Sequence, residues 1–372
     1  MSKIKPIAIY LPQYHTIPEN DQWWGEGFTE WTNVKKSVSY FPEHYQPHVP
    51  LHKNYYDLSD SQVLEEQSEL ARSYGIEGFC FYHYWFSGHL LLEKPLHNML
   101  DSNKPTMPFC LCWANENWTR TWDGMDKQVL IEQHYSPEDD KKHIDYLMPF
   151  FKDPRYIKID NKPVFLMYRT ELHPDINQAT QLWREEAKKN GFDDLYLIRV
   201  ENHLKGINPA IHGFDAGMEF APDSGLKGKK VAKDNYPKYL VNKILHKTGI
   251  RRSVHFDNFI YSYASMVNNL IQKPDREYKY FRTVFPSWDN SARRKVKATI
   301  YLGSTPALFQ KWVKKMAEKT RAHFEEKEQL LFINAWNEWG EGCHLEPDEK
   351  WGTQYLEALK MAIEEDETGT IR

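Results

Sequence analysis

The sequence predicts an α/β protein, a (β/α)8 TIM barrel with long loops after its strands. Two observations lead to this prediction. About eight short apolar runs alternate with segments of helical periodicity, and no Gly/Ser-type or Pro-type linker divides them. The length of 372 residues suits one such barrel. We therefore predict a single catalytic domain over residues 1–372, with a basic insertion at about 225–255.

Each predicted strand is an apolar run, and several of these runs end in aromatic or polar residues. In chain order they lie at residues 7–11, 78–85, 108–113, 164–169, 195–199, 214–219, 283–286 and 332–333. Helical spacing predicts helices at residues 59–74, 91–100, 137–151, 176–189, 308–327 and 353–364. The first of these helices is expected to begin at Ser59 or Asp60 and to stop at Gly75. Residues 13–58 show little periodicity and predict a long functional loop.

The strongest candidate site follows the last strand. An apolar run ends there in a turn that carries Glu338 and Glu341, framed by Trp336 and Trp339. Barrel enzymes keep their chemistry at the carboxyl ends of the strands. Glycoside cleavage needs one group to protonate the leaving oxygen and another to stabilise or attack the anomeric centre. Two neighbouring carboxyls cannot both ionise cheaply, so one should remain an acid near neutrality. The structural alternative is a pair of surface Glu that caps the next helix.

Polar and aromatic residues also follow the other predicted strands. Glu116, between Asn115 and Asn117, suits either an acid partner for Glu338 or a hydrogen-bond network that fixes a loop. Because Glu338 and Glu341 can supply both proton-transfer roles, we assign Glu116 to substrate binding. Further residues at or just past strand ends are expected to line one mouth of the barrel, although packing explains each of them singly. They are His83, Tyr84, Tyr168, Arg199, Glu219, Trp288 and Asp289.

Composition argues against several other classes of protein. The net charge of −4 gives no overall field for nucleic acid or an anionic membrane. No apolar stretch approaches the ~20 residues of a membrane span, and no apolar signal core follows Met1. The four cysteines form no CxxC pair, so we expect reduced core thiols and a cytoplasmic protein. Aromatic residues make up 15% of the chain, and core packing explains most of them, while sugar stacking suits the others.

We predict no cofactor and no metal. Gly-rich phosphate loops and serine nucleophile elbows are absent from the sequence. Residues 123–126 offer too few ligands for an EF-hand calcium loop. His44, His48 and His52 recur every four residues, but the prolines between them prevent the helix that a metal site of this spacing would need.

Residues 227–252 differ in charge from the rest of the chain. They carry nine basic residues against one acidic residue, Asp234. The structural interpretation is a solvated insertion on the barrel rim. The alternative is a contact for phosphate groups or an anionic polymer, such as a lipid-linked glycan.

Six long motifs, at residues 9–15, 27–31, 44–48, 81–86, 113–118 and 334–342, make the chain resemble the WbsX-type proteins. These proteins are usually described as glycosyltransferases of surface-polysaccharide clusters. The resemblance covers nearly the whole chain. A remoter similarity, which rests mainly on the Glu-Trp-x-Glu turn, relates the chain to glycoside hydrolase family 99, the endo-α-mannanases and endomannosidases.

The resemblance implies a (β/α)8 barrel with a metal-independent, retaining mechanism. By similarity to family 99, Glu338 acts on the sugar 2-hydroxyl, a 1,2-anhydro sugar forms, and Glu341 is the acid/base. Gly340 stands where that family usually has His, so the mannose preference is not carried over to this chain.

We therefore expect a retaining glycoside hydrolase or transglycosidase that acts on a bacterial surface polysaccharide or its oligosaccharide precursor. The alternatives are a glycosyltransferase of O-antigen or capsule biosynthesis and a non-catalytic carbohydrate-binding barrel. The strand ends and the motifs together give the predicted substrate-binding residues, which are Tyr10, Gln13, His15, Trp31, His83, Tyr84, Trp113, Asn115, Glu116, Trp118, Tyr168, Arg199, Glu219, Trp288, Asp289, Asn337 and Trp339.

Overall fold

A computed structural model describes residues 3–120, 125–223, 225–231, 236–250, 254–294 and 296–368. Parts of two sequence predictions, namely residues 123–124 of the rejected calcium loop and residues 232–235 and 251–252 of the basic segment, lie outside the described residues. The centre of the fold is a barrel of parallel strand segments. They are β1 (Lys5–Tyr10), β2 (Gly78–Phe86), β3 (Phe109–Trp113), β4 (Lys162–Met167), β5 (Tyr196–Glu201), β6 (Ala216–Glu219), β7 (Tyr280–Phe281), β8 (Thr283–Val284) and β9 (Leu330–Ile333).

The order of the strands around the barrel follows the order of the chain. Hydrogen-bonded neighbours run β7-β6-β5-β4-β3-β2-β1-β9-β8, and all of these pairs are parallel. Only Arg282 separates β7 from β8, so the two ends of this order belong to one stretch of chain and the barrel is nearly closed. The predicted (β/α)8 barrel is confirmed, with β7 and β8 together filling one of its strand positions.

The strands are apolar because both of their faces are covered. Every residue of β3 is buried, as is every residue of β1 except Lys5. Parallel strands that carry helices on one face and a packed barrel interior on the other expose neither face to water. Ala8 lies opposite both Phe79 of β2 and Ile333 of β9, which sets the register where the last strand meets the first.

Helices connect the strands and cover the barrel. They are α1 (Pro18–Trp24), α2 (Glu30–Lys36), α3 (Ser61–Ser73), α4 (Lys94–Ser102), α5 (Pro137–Lys152), α6 (Ile176–Lys189), α7 (Tyr236–Lys247), α8 (Val254–Asp257), α9 (Tyr263–Ile271), α10 (Pro306–His323) and α11 (Gln354–Thr368). The predicted signals at α3 are confirmed. The Asp60 side chain accepts a hydrogen bond from the Gln62 backbone N–H (3.0 Å), and Gly75 follows the helix at φ +83°.

Several helices of the structure were not predicted from the sequence. Residues 13–58 contain α1 and α2, each of seven residues. Two helical turns are too short to show a period, and such a helix depends on tertiary packing rather than on propensity. In α2 that packing buries Glu30, Trp31 and Val34. The helices α7, α8 and α9, between β6 and β7, were also not predicted.

Other features bear on the environment of the protein. All four cysteines are buried, and none of them is joined in a disulfide. Among the described residues, no helix has the length and apolar character that crossing a membrane requires. The assignment of the whole chain to one catalytic domain, with its basic insertion, stays a prediction.

Candidate active site

The turn predicted from the sequence lies at the carboxyl end of β9. Asn337 ties it to the end of β1, because its side chain accepts a hydrogen bond from the Leu11 backbone N–H (2.8 Å) and donates one to the Leu11 carbonyl (3.0 Å). Glu338 comes next, and a single 3-10 turn, Trp339–Glu341, leads to the second carboxylate. Gly342 ends this turn at φ +54°, a left-handed conformation that glycine adopts without a steric penalty.

A buried arginine joins the two predicted catalytic carboxylates. Arg293 donates from Nη2 to Glu338 Oε1 at 2.6 Å and lies with Nη1 3.1 Å from Glu341 Oε1. Its Nε donates to a third carboxylate, Glu30 Oε1, at 3.0 Å. Three acids therefore surround one guanidinium, in a cluster that we call the Arg293 cluster: Arg293, Glu30, Glu338 and Glu341.

Gly340 is required by the packing of this cluster. A Cβ atom at residue 340 would lie 2.0 Å from Glu30 Oε1 and 2.8 Å from Arg293 Nε. The backbone of Gly340 is not left-handed, so the penalty for a side chain there is steric, because Glu30 and Arg293 would have to move. The carboxylate of Glu30, the first residue of α2, thus fills the space beside residue 340.

Burial dominates the electrostatics of the Arg293 cluster. It raises the pKa of Glu338 well above its ordinary value, and the Glu341 and Glu30 carboxylates raise it further, while the Arg293 guanidinium opposes the rise. The pKa values of Glu341 and Glu30 are raised by burial too, against the same opposing charge. Arg294 also lowers the pKa of Glu341. Burial thus favours the protonated carboxyls of the cluster, while the neighbouring guanidinium charges favour the ionised ones.

Glu338 and Glu341 face a cleft with an empty volume of about 980 Å³, part of it open to solvent. Of the two side chains, Glu341 is the more exposed, at 20% against 8% for Glu338. Aromatic rings supply much of the wall. The lining residues are Leu11, Gln13, Tyr82, Tyr84, Ala114, Glu116, Asn117, Trp118, Thr119, Tyr168, Phe220, Arg293, Asn334, Glu338 and Glu341. Flat rings beside polar groups suit the stacking of sugar C–H faces.

The cleft brings together five of the predicted substrate-binding residues with the two glutamates. Gln13 donates from Nε2 to the Tyr84 hydroxyl at 2.7 Å, which joins the end of β1 to β2. Glu116 forms an ion pair with Arg169 and keeps 44% of its side chain exposed. Trp118 and Tyr168 complete this group.

Two predicted residues point away from the cleft because side chains alternate along a strand. Tyr82 and Tyr84 line the cleft, whereas His83 between them faces α5 and meets His143 with its Nε2 at 2.9 Å. In the same way Phe220 lines the cleft, and Glu219 before it is buried in an ion pair with Lys273 (2.6 Å). The expectation that all strand-end residues would line one mouth is corrected accordingly.

Tyr10 lies in a buried hydrogen-bond network beneath the turn rather than at the barrel mouth. Its hydroxyl donates to Gln67 Oε1 (2.5 Å), and Gln67 Nε2 in turn donates to Glu346 (2.7 Å). Glu346 also accepts hydrogen bonds from Trp339 Nε1 (2.6 Å) and the Tyr56 hydroxyl (2.8 Å). Burial raises the pKa of Glu346 to about 7, although these three donors oppose the rise. This network supports the turn from below.

Trp31 and Trp339 pack behind the turn and are 4% and 1% exposed. Their rings lie 5.6 Å apart, and Trp339 stacks on His344 with ring centroids 3.6 Å apart. Asn337, tied to Leu11, belongs to the same layer. The structure therefore places these predicted residues where they hold the turn, outside the cleft lining.

The remaining buried predictions also lie outside the cleft lining. Asn115 fixes a loop, since its Oδ1 accepts from the Arg169 N–H (2.8 Å) and its Nδ2 donates to the Arg169 carbonyl (2.7 Å). Trp113 donates from Nε1 to a backbone carbonyl of β2 (3.2 Å). Arg199 pairs with Glu201 at 2.9 Å and is fully buried. Burial lowers the pKa of His15 to about 4, so this residue is neutral at neutral pH.

Trp288 and Asp289 line a second cavity of about 650 Å³ behind the turn. Asp289 Oδ2 lies 2.6 Å from His44 Nε2, and both residues are buried. This cavity is separate from the cleft of Glu338 and Glu341 in its lining. The structure thus assigns these two predicted residues to a different pocket.

The second cavity is lined by two histidines and an aspartate whose geometry could hold a metal ion. His48 Nδ1 lies 2.8 Å from His344 Nε2, which is 4.0 Å from Asp348 Oδ2. Ligand atoms of these three residues lie within 4.8 Å of one another among the residues that the structure describes. Of the evenly spaced histidines in the sequence, only His48 takes part. The prediction that the protein uses no metal stays a prediction.

Several residues of the site were not predicted from the sequence, among them Tyr82, Phe220, Glu30 and Arg293. Tyr82 could have been found by counting two positions back from Tyr84, and Phe220 by its place directly after β6. Glu30 and Arg293 carry no such signal. Glu30 lies in a helix too short to be predicted, and Arg293 follows a 3-10 turn of three residues, Asn290–Ala292.

We expect loss of the Arg293 charge to shift the pH dependence of activity. The guanidinium lowers the pKa of Glu338 and of Glu341, so Arg293→Met should raise both values. The acid limb of kcat/KM then moves to higher pH, by about one unit or more. Arg293→Lys keeps a positive charge and serves as the control, with a smaller shift. The pH dependence is measured over about pH 4 to 9. If the acid limb of Arg293→Met lies at the same pH as that of the wild type, Arg293 does not set the pKa values of the two glutamates.

The chain is a nearly closed (β/α)8 barrel of glycoside hydrolase-like fold, and its paired carboxylates face an aromatic cleft. The chain matches the family model described as "Glycosyltransferase WbsX" over residues 6–359, and it belongs to that family. It is 38% identical over 357 residues to the "Uncharacterized protein WxcX" of Xanthomonas campestris pv. campestris. The aligned region covers 96% of this chain and 49% of the relative. The chain thus spans about half the length of the curated relatives it matches.

Solved structures with a similar fold include glycoside hydrolases. A "Glycoside hydrolase-like protein" superposes with a TM-score of 0.58 at 14% identity, covering 98% of this chain and 94% of the other. The GH99 endo-alpha-mannosidase from Bacteroides thetaiotaomicron gives a TM-score of 0.57 at 13% identity, with 98% and 97% covered. At these identities the likeness concerns the fold.

Proposed function

We propose that this chain is a retaining glycoside hydrolase or transglycosidase that acts on a bacterial surface polysaccharide or its oligosaccharide precursor. The observation that carries this proposal is the Arg293 cluster. Two acids on one turn, Glu338 and Glu341, meet the same guanidinium at the wall of an aromatic cleft. The family resemblance supports the choice of a glycan as substrate.

The two carboxyls have different roles in this proposal. Glu341 is the more exposed of the pair, and its position suits the general acid that protonates the oxygen of the departing sugar. Glu338 lies deeper against Arg293 and suits the base that takes the proton of the sugar 2-hydroxyl. The raised pKa values permit one protonated and one ionised carboxyl in the same cluster.

The bond changes balance over two steps. Glu338 accepts the 2-hydroxyl proton, O2 attacks C1, and the C1–oxygen bond to the leaving group breaks as Glu341 protonates that oxygen. A 1,2-anhydro sugar results. Water or an acceptor hydroxyl then loses its proton to Glu341 and attacks C1, the C1–O2 bond breaks, and O2 recovers its proton from Glu338. Each attack inverts the anomeric carbon, so two attacks retain its configuration.

Glu116 is proposed to bind substrate rather than to transfer protons. We expect Glu116→Gln to raise KM about tenfold, the size expected for the loss of a hydrogen bond to a charged group, and to leave kcat nearly unchanged. The Arg169 ion pair weakens in this variant, so its melting temperature is compared with that of the wild type. A fall in kcat as large as that caused by Glu341→Gln would return Glu116 to the role of acid.

A glycosyltransferase is the second candidate, because the family carries that description. The discriminating experiment is to incubate the protein with oligosaccharides from surface polysaccharides and to follow the anomeric protons by NMR. A retained anomer in the first product supports the proposal. Binding of a nucleotide sugar in calorimetry, together with no cleavage or transfer between oligosaccharides, contradicts it in favour of the glycosyltransferase.

A further inference from the structure

Exposed apolar side chains cluster in and just after helix α7. Of the twelve large apolar side chains that are exposed among the described residues, four lie within residues 240–250. They are Leu240 (41% exposed), Val241 (58%), Ile244 (62%) and Ile250 (75%). We call these four residues the α7 surface. Clusters of exposed aliphatic residues are uncommon on soluble proteins and mark sites of interaction.

The most exposed face of the described part of α7 is aliphatic. At 100° per residue, Leu240, Val241 and Ile244 share one face. Asn242, Leu245 and His246 are half-buried on the other side, where His246 lies 3.4 Å from Asp257 of α8. Surface helices usually turn their apolar stripe towards the core, so three exposed aliphatic side chains on one face are more than burial within this chain explains.

Positive charge lies beside the α7 surface. Lys243 and Lys247 are both exposed on the helix itself. No acidic residue occurs between residues 235 and 256 of the sequence. An aliphatic stripe flanked by lysines has the composition of helices that lie in the interface of a membrane, where the lysine amines reach the headgroups.

We propose that the α7 surface binds an anionic phospholipid bilayer. A soluble anionic polymer would engage the lysines but would leave the aliphatic side chains in water. A second copy of the chain would bring two basic surfaces together, which like charges oppose. An anionic bilayer satisfies both features, because its headgroups attract the lysines and its acyl boundary accepts the aliphatic side chains.

The α7 surface belongs to the loop that leaves the barrel beside the cleft. Phe220, directly after β6, lines the cleft, and the chain then continues into the basic segment. Docking through α7 would hold the enzyme at the membrane face where lipid-linked glycans are available, a consequence that rests on the proposed function. The binding itself does not rest on it and is measured without turnover.

The test is co-sedimentation with vesicles of phosphatidylcholine alone or of phosphatidylcholine mixed with phosphatidylglycerol. We expect the wild type to bind the mixed vesicles, to bind the neutral ones weakly, and to be released by salt. Leu240→Ser/Ile244→Ser should lower the partition coefficient about tenfold or more, since two aliphatic side chains lose their burial. Lys247→Glu should lower it about fivefold or more.

The matched control is Val38→Ser/Ile211→Ser, which removes two equally exposed apolar side chains elsewhere (61% and 57%) and should leave binding unchanged. Because all these positions are exposed, the melting temperatures should stay close to that of the wild type. The proposal is overturned if the wild type does not bind the anionic vesicles. It is overturned as well if Leu240→Ser/Ile244→Ser binds them as strongly as the wild type. It is also overturned if analytical ultracentrifugation shows a dimer that this double variant abolishes.

Discussion

We expect Glu341→Gln to lower kcat by about 10²- to 10⁴-fold, the range that a positioned proton donor supplies, and to leave the fold intact. The glutamine keeps the shape of the side chain and its contact with Arg293 but cannot release a proton. Turnover of a glycan substrate measures the loss. The loss should be smaller for an aryl glycoside with an acidic leaving group, because such a leaving group needs less protonation.

Glu116→Gln is the matched control, since Glu116 lies in the same cleft and is not assigned a proton transfer. Equal melting temperatures would separate loss of chemistry from loss of structure. Unchanged turnover in Glu341→Gln would end the assignment of this turn as catalytic. If glycan binding instead survives the loss of both Glu338 and Glu341 and no turnover is found in the wild type, the barrel is a carbohydrate-binding protein.

We expect Gly340→Ala to destabilise the protein by about 1–3 kcal/mol, the usual penalty for an added methyl group in a packed site, and to lower activity. The new Cβ would lie 2.0 Å from Glu30 Oε1, so Glu30 and then Arg293 must move. Since the Gly340 backbone is not left-handed, the effect is steric. Thermal and urea unfolding measure the change in the free energy of unfolding.

A double-mutant cycle with Glu30→Ala identifies the cause of this loss. Removing the Glu30 carboxylate makes room for the methyl group, so Glu30→Ala/Gly340→Ala should be more stable than the sum of the single changes predicts, by about 1 kcal/mol or more. Additive effects would show that Glu30 is not the obstacle. A Gly340→Ala variant as stable and active as the wild type would refute the role of this glycine.

Position at the end of a strand does not by itself decide whether a side chain lines the cleft. Tyr84 was predicted to line the cleft and does so, whereas its neighbour His83 points into the helix layer. Both residues stand at the end of the same strand, and the alternation of side chains decides between them. Position at a strand end therefore predicts the end of the barrel at which a residue lies. Whether its side chain faces the barrel interior or the helices depends on the alternation of side chains along the strand.

The residues beneath the turn were predicted to bind substrate, and the structure places them close to the site but outside the cleft lining. Tyr10 and Trp339 reach Gln67 and Glu346, which hold the turn from below, and neither lines the cleft. Their motifs indicate proximity to the site, since the first and last strands are neighbours in the barrel. A sequence motif does not separate a side chain that touches substrate from one that supports the turn.

The sequence by itself determined the barrel and the carboxylate pair, because strand periodicity, helix spacing and a Glu-Trp-x-Glu turn are local properties of the chain. Only the tertiary structure decided what surrounds that pair. Glu30 lies 263 residues from Arg293 in the sequence, and Arg293 lies 45 residues from Glu338. These groups meet because the barrel closes and places α2 against the turn after β9. Such a contact is set by the geometry of the closed barrel, and no local pattern of residues encodes it.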